Sequence, residues 1–191
     1  MAKITTFTNV TLDGVYQAPG RADEDTRGGF AHGGWATAYN AMSEAGDILG
    51  DPGELLFGRW TFELFRESWG KQKGNPFSDF FNATTKHVVT RNANFVPGWE
   101  NSSVLSGDTS AGLQELKSRN KKDLLVFGSG NLVASLVELG LVDRYVLLIH
   151  PLLLGSGKAF GSGLLNPAHV ILQEVRSTKS GVLIATYSRG A

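Results

Sequence analysis

The stretch that most limits what this chain can become is Asp123 to Phe127, followed at once by Gly128-Ser129-Gly130 and then by Asn131 to Leu139. Leu124, Leu125, Val126 and Phe127 run without polar alternation, as strands do when helices cover a parallel sheet on both faces. The glycines make a tight turn. Leu132, Val133, Leu136 and Val137 then recur at helical spacing, and Gly140 supplies a stop. A buried strand turning directly into a helix is the repeating unit of an α/β sheet.

The rest of the chain repeats that unit. Strands are expected at Lys3 to Val10, Glu54 to Phe57, Lys86 to Thr90, Ser102 to Leu105 and Asp143 to His150, where β-branched and aromatic residues gather. Helices are expected at Trp35 to Gly46, Trp60 to Trp69 and Ser110 to Arg119, with a short one opened by Asn75 and Pro76 and running to Phe81. Val170 to Val175 and Val182 to Tyr187 flank a turn near Lys179 to Gly181 and read as a hairpin. The expected architecture is a three-layer α/β/α fold with a mixed, mainly parallel sheet and an antiparallel C-terminal edge, forming one domain over residues 1–191. Thr11 to Gly34 lacks periodicity and carries the acidic cluster Asp23, Glu24 and Asp25. A structureless run of that length inside a compact domain is often functional.

Composition narrows the function. With 18 basic and 18 acidic side chains the formal net charge is zero, which argues against a nucleic-acid partner. The chain has no cysteine, so thiol catalysis and thiolate metal sites are excluded. His32, His87, His150 and His169 lack metal-ligand spacing, so no metal is expected. The apolar stretch Tyr145 to Gly155 is interrupted by His150 and Pro151 and is too short for a membrane span. The opening residues do not read as a secretory signal, and a cytoplasmic location is expected.

Two strand-to-helix junctions carry unusual chemistry. In Phe57-Gly58-Arg59-Trp60-Thr61, glycine lets the backbone turn closely, the helix start favours phosphate, and Arg59 adds a planar cation. An ordinary turn with a solvated arginine fits the same residues. In Phe127-Gly128-Ser129-Gly130-Asn131 the glycines suit a pyrophosphate, but Val133 stands where a Rossmann fingerprint has its third glycine. Gly155-Ser156-Gly157-Lys158 lacks the ending of a phosphate loop, since Ala159 follows, and reads as a plain loop.

Three blocks in order carry a resemblance: Thr11-Leu12-Asp13-Gly14; Leu56-Phe57-Gly58-Arg59-Trp60-Thr61-Phe62-Glu63; and Leu125 to Leu132 continuing through Gly140-Leu141-Val142-Asp143 to His150-Pro151-Leu152-Leu153-Leu154-Gly155-Ser156-Gly157-Lys158. Together they resemble the dihydrofolate-reductase-like superfamily, and within it the C-terminal reductase domain of the bifunctional riboflavin-biosynthesis deaminase–reductase. The resemblance implies NADPH as hydride donor, a small-molecule substrate and a homodimer. By position it assigns Gly58, Arg59 and Thr61 to the coenzyme phosphates and Thr90 and Arg91 to the 2′-phosphate. Gly128, Ser129, Gly130, Asn131, Leu132 and Val133 fall on the pyrophosphate and nicotinamide side. Asp13, Glu44, His32, Tyr39 or a water are the candidates to supply the proton, and His32, Trp35 and Tyr39 the candidates to meet the substrate. Met42 stands where a folate enzyme carries its acid, so folate is not expected. Ser129 replaces the usual middle glycine. A non-catalytic NADPH-binding protein and a dimeric small-molecule sensor stay open as alternatives.

Overall fold

The computed structural model describes residues 1–49 and 53–190. The strands are β1 (Ile4–Thr11), β2 (Glu54–Gly58), β3 (Lys86–Val89), β4 (Ser102–Leu105), β5 (Leu124–Phe127), β6 (Arg144–His150), β7 (Val170–Ser177) and β8 (Leu183–Arg189). The helices are α1 (Ala41–Leu49), α2 (Arg59–Trp69), α3 (Pro76–Ala83), α4 (Thr109–Arg119) and α5 (Gly130–Glu138). The strands form an eight-stranded sheet in the order β4-β3-β2-β5-β1-β6-β8-β7. β1 to β6 all run parallel, and β8 lies antiparallel to both β6 and β7. The expected mainly parallel sheet with an antiparallel edge is the observed one.

Two apolar layers enclose the sheet. On one face, α1, α2 and α3 bring Ala45, Phe62 and Phe81 down onto Phe7, Phe57 and Phe127 of the strands. Rings meet edge to face there, with centroids 5.5 Å apart for Phe7 and Phe127 and 5.1 Å for Phe65 and Phe81. On the other face, Leu113 and Leu116 of α4 and Leu132, Val133 and Leu136 of α5 pack on Ile4, Leu56, Leu124 and Val126. All four residues of β5 are therefore buried, which is what the unbroken apolar run required. Each such side chain contributes about 1.5–3 kcal/mol by leaving water.

Local signals set the helix ends. The Asn75 side chain accepts the Phe77 amide, and Pro76 occupies the first turn of α3, whose missing N–H is unneeded there. At the other end of α3 the fully buried Lys86 donates through Nζ to the carbonyls of Phe81 and Thr84, each at 2.7 Å, and lies 4.7 Å from the Trp99 ring centroid. Burial lowers this ammonium to about 8. Glu54, His87 and Ser103 tie β2, β3 and β4 across the sheet, with both His87 contacts at 2.8 Å. Burial acts to raise the Glu54 carboxyl, but bonds from His87 and Asn120 outweigh it and hold it below its ordinary value.

One expected helix is corrected. Residues 35–40 do not continue into α1: a single 3-10 turn spans Thr37–Tyr39, and Asn40 takes a left-handed conformation (φ 48°) whose amide returns to the Thr37 carbonyl. That closes the turn before Ala41 begins a new helix. Gly46 also fails to stop the helix, which runs on to Leu49.

The two glycine turns end neighbouring strands, because β2 pairs with β5. Gly128 adopts φ 52° and Ser129 φ 54°. The left-handed conformation costs a side-chain-bearing residue about 1–2 kcal/mol. Ser129 offsets that by accepting the Gly58 amide on Oγ at 3.2 Å, so it ties one turn to the other. Ser129→Ala loses the bond and keeps the strain, whereas Ser129→Gly loses the bond and relieves the strain. In urea denaturation the alanine variant should be less stable than wild type by about 1 kcal/mol and the glycine variant should lie close to wild type. Equal midpoints for the two variants would mean that the turn is not strained.

Candidate functional site

The carboxyl ends of the parallel strands open onto one large cleft of about 1520 Å³. Connections from β2 and β5 leave these neighbouring strands toward opposite faces of the sheet, through α2 and α5, and leave a crevice between them. In open α/β sheets ligands bind at such a point. Gly58, Arg59 and Thr61 border the cleft from the first turn, and Gly128, Ser129, Gly130, Asn131 and Leu132 from the second. Thr90 and Arg91, just beyond β3, border the same end. Val133 alone of the coenzyme-side candidates stands apart, 4% exposed within the apolar layer under α5.

The glycines have different reasons to be there. A Cβ on Gly128 would meet nothing nearer than Thr61 Cγ2 at 3.9 Å, so the space above it is open and the positive φ selects glycine. A Cβ on Gly130 would strike the Tyr16 ring at 2.3 Å. Tyr16, rather than a ligand, therefore forbids a side chain at 130. Burial pushes the Tyr16 hydroxyl upward, so it keeps its proton at neutral pH. Arg59 makes a long ion pair, 3.7 Å to Glu63, and lies 5.8 Å from the Phe95 ring centroid, and Arg91 is exposed.

The long loop after β1 folds across this cleft and is held at three places. Arg21 reaches Ser68 on α2 at 3.0 Å and Glu67 at 3.5 Å. Arg27 lies 4.1 Å over the Trp60 ring, at the start of α2. Asp25 is the hub: it takes Arg27 through both carboxylate oxygens at 2.7 and 2.6 Å and Lys158 Nζ at 2.8 Å. Burial acts to raise the Asp25 carboxyl, but these two cations outweigh it and hold it far below the usual carboxylate range. Gln17 completes the tie, donating to the carbonyls of Asp25 and Arg27 and accepting the Lys158 amide at 3.0 Å.

The other sequence candidates lie outside the cleft lining. Asp13 sits on an exposed turn, where it accepts the Thr11 hydroxyl and the amides of Leu154 and Gly155, the latter at 2.7 Å. The Thr11 bond, then that from Gly155, lower its carboxyl. Glu44 is exposed and accepts the Lys179 amide at 3.3 Å. His32 is exposed beside Phe30. Trp35 is buried, donating from its indole to the Gln17 carbonyl at 2.7 Å. Trp35 and Tyr39 pack edge-on against His150, with centroids 5.1 and 5.0 Å away. His150 and Asn9 do border the cleft, as do Thr37, Asn40 and Met42 from the segment before and within α1. Asp25, Arg27 and Lys158 are site residues that the sequence pattern left unassigned. Among the described residues, no group of three or more His, Asp or Glu side chains stands close enough to hold a metal ion, and no helix is long and apolar enough to cross a membrane.

The family model of the RibD C-terminal domain matches residues 2–184. The chain is 26% identical over 147 residues to the uncharacterized protein YyaP of Bacillus subtilis (strain 168), covering 74% of this chain and 76% of that protein. A solved structure from Shewanella sp. PV-4, described as a riboflavin biosynthesis protein, superposes with a TM-score of 0.71 at 17% identity, over 100% of both chains. The Thermotoga maritima diaminohydroxyphosphoribosylaminopyrimidine deaminase/5-amino-6-(5-phosphoribosylamino)uracil reductase superposes with a TM-score of 0.64 at 15% identity, over 99% of this chain and 57% of that one. The cleft lies at the strand ends of a fold shared with these proteins, and the chain belongs to the RibD C-terminal domain family.

Proposed function

We propose that the chain is an NADPH-dependent reductase that passes hydride to a C=N or C=O carbon of a small heterocyclic or sugar-bearing molecule. The observation that carries this reading is that the two glycine turns and Arg91 border a single cleft. The donor set there suits a pyridine dinucleotide phosphate. Arg59 and Thr61 offer a cation and a hydroxyl, and the first amides of α5 lack helical partners and point outward. The open space above Gly128 admits a pyrophosphate without collision. Arg91 is exposed and borders the same cleft, and its guanidinium would pair with a 2′-phosphate.

When bound, the reduced coenzyme supplies the hydride. The chain's own residues orient and exclude. The Gly58–Ser129 bond fixes the two turns relative to one another, the Asp25 hub holds the loop across the opening, and the aromatic wall from α2 and α3 keeps water out. Tyr16 keeps its proton and packs its ring on Gly130, closing the second turn. Asp13 and Glu44 do not border the cleft.

Arg91→Ala should weaken NADPH by about tenfold to a hundredfold and leave NADH nearly unchanged in calorimetric titrations. Equal weakening of both coenzymes would remove the 2′-phosphate role.

The expected homodimer is proposed to form through β7. Successive residues of a strand point to opposite faces, yet Ile171 and Leu172 are 54% and 52% exposed, so β7 is uncovered on both. Val170 and Val175 extend the apolar strip along an unpaired sheet edge, a surface that proteins normally protect. A second copy of the strip covers it. Sedimentation velocity should give a dimer for wild type and a monomer for Ile171→Lys/Leu172→Lys. A monomeric wild type would overturn this.

A further inference from the structure

The carboxyl ends of β1 and β6 bring together a side-chain pair that the coenzyme reading leaves unused. Asn9 is half-buried and borders the cleft. Alternate residues of a strand share a face, so Asn9 projects from the same face as Phe7, which packs in the aromatic layer with Phe57, Phe62 and Phe127. It also stands near the second glycine turn. The Phe7 carbonyl, two residues back, accepts the Gly128 amide at 3.0 Å.

β6 pairs Leu148 with Asn9, and His150 follows two residues later on the same face. His150 is fully buried, and its Nε2 lies 2.9 Å from Asn9 Oδ1. Burial lowers the imidazole to about 4, so the ring is neutral and carries one proton. An amide oxygen can only accept, so that proton sits on Nε2 and is donated to Asn9. The other ring nitrogen, Nδ1, is buried without a partner. Trp35 and Tyr39 pack on the ring edge to face, as they would on a phenylalanine. A phenylalanine would fill this place without an unpaired polar atom, which costs free energy. What the imidazole adds is the bond to Asn9.

That bond settles which way the Asn9 amide faces. With Oδ1 held by His150, Nδ2 lies on the opposite side of the planar amide. Its two N–H groups make no hydrogen bond among the described residues. Ligand pockets are mostly apolar and use a few fixed polar groups to orient what they bind. An oriented and unspent donor beside aromatic rings has that character.

We infer that Asn9 contacts the substrate, donating from Nδ2 to an oxo group on a flat heterocycle, and that His150 is the positioning residue that holds the amide in this sense. A ring with an amino group at the same place sets donor against donor and is disfavoured. The inference deepens the proposed function by naming the residue that reads the substrate. It rests on that reading only in that substrate and coenzyme share the cleft.

Lumazine and 2,4-diaminopteridine are suitable probes, since they share one bicyclic ring and differ in carrying oxo or amino groups. Their binding to the full chain is followed by their own fluorescence, without coenzyme, slightly below neutral pH where both rings are uncharged. Lumazine should bind at least about tenfold tighter. Asn9→Asp keeps an oxygen for His150 and puts an acceptor where the donor was, so the preference should invert. His150→Phe frees the amide to turn and should cut the preference to about twofold or less, and His150→Gln, whose N–H can hold Oδ1, should restore it. A purely structural His150 would change the unfolding midpoint and leave the preference alone. Equal binding of the two rings to wild type, failure of both to bind, or a preference unmoved in Asn9→Asp or His150→Phe would overturn the inference. NADP+ is titrated separately. If it does not bind, yet the preference inverts in Asn9→Asp, the coenzyme reading fails and this inference stands.

Discussion

The hydrogen bond from the Gly58 amide to Ser129 Oγ joins residues 71 apart in sequence, at the border of the cleft. It exists because β2 and β5 are neighbours in the sheet and each ends in a glycine turn. The serine must sit in a left-handed backbone to reach across. Ser129 therefore ties the two turns to each other. The spacing of the turns proposed to bind the coenzyme rests on that bond.

The second constraint is electrostatic. The loop after β1 carries no regular structure beyond short turns, and so it needs anchors. Asp25 provides them by drawing Arg27 and Lys158 onto one carboxylate. Since its folded-state carboxyl lies far below its unfolded value, this stabilisation is complete above the unfolded value and fades only as pH falls into strong acid.

Much of the fold was legible in the sequence because its signals are local. The apolar run of β5, the Asn75-Pro76 start of α3 and the C-terminal hairpin each declare themselves within a few residues. The segment around Asn40 did not, because alanine-rich composition favours helix while a single left-handed residue breaks it. The two glycine turns that border the cleft were legible too, because such turns are also local. Asp25 and Lys158 were not, since they are 133 residues apart and meet only once the loop has folded back. The acidic cluster and the Gly155–Lys158 loop were both visible as oddities, but nothing in either stretch names the other. His150 was seen only as a strand-end residue, and its burial beside Trp35 and Tyr39 depends on how the loop packs. Asp13 attracted attention by its motif position, and the structure has one of its oxygens accept the Thr11 hydroxyl and the other the amides of Leu154 and Gly155.

The central claim is that the two joined turns are the coenzyme clamp. Backbone amide NMR during titration with NADPH tests it most directly. The account predicts that the amides of Arg59, Thr61, Gly130 and Asn131 shift together with one common affinity, with Arg91 moving in the same titration. Shifts that spare both turns, or that affect only one of them, would contradict it.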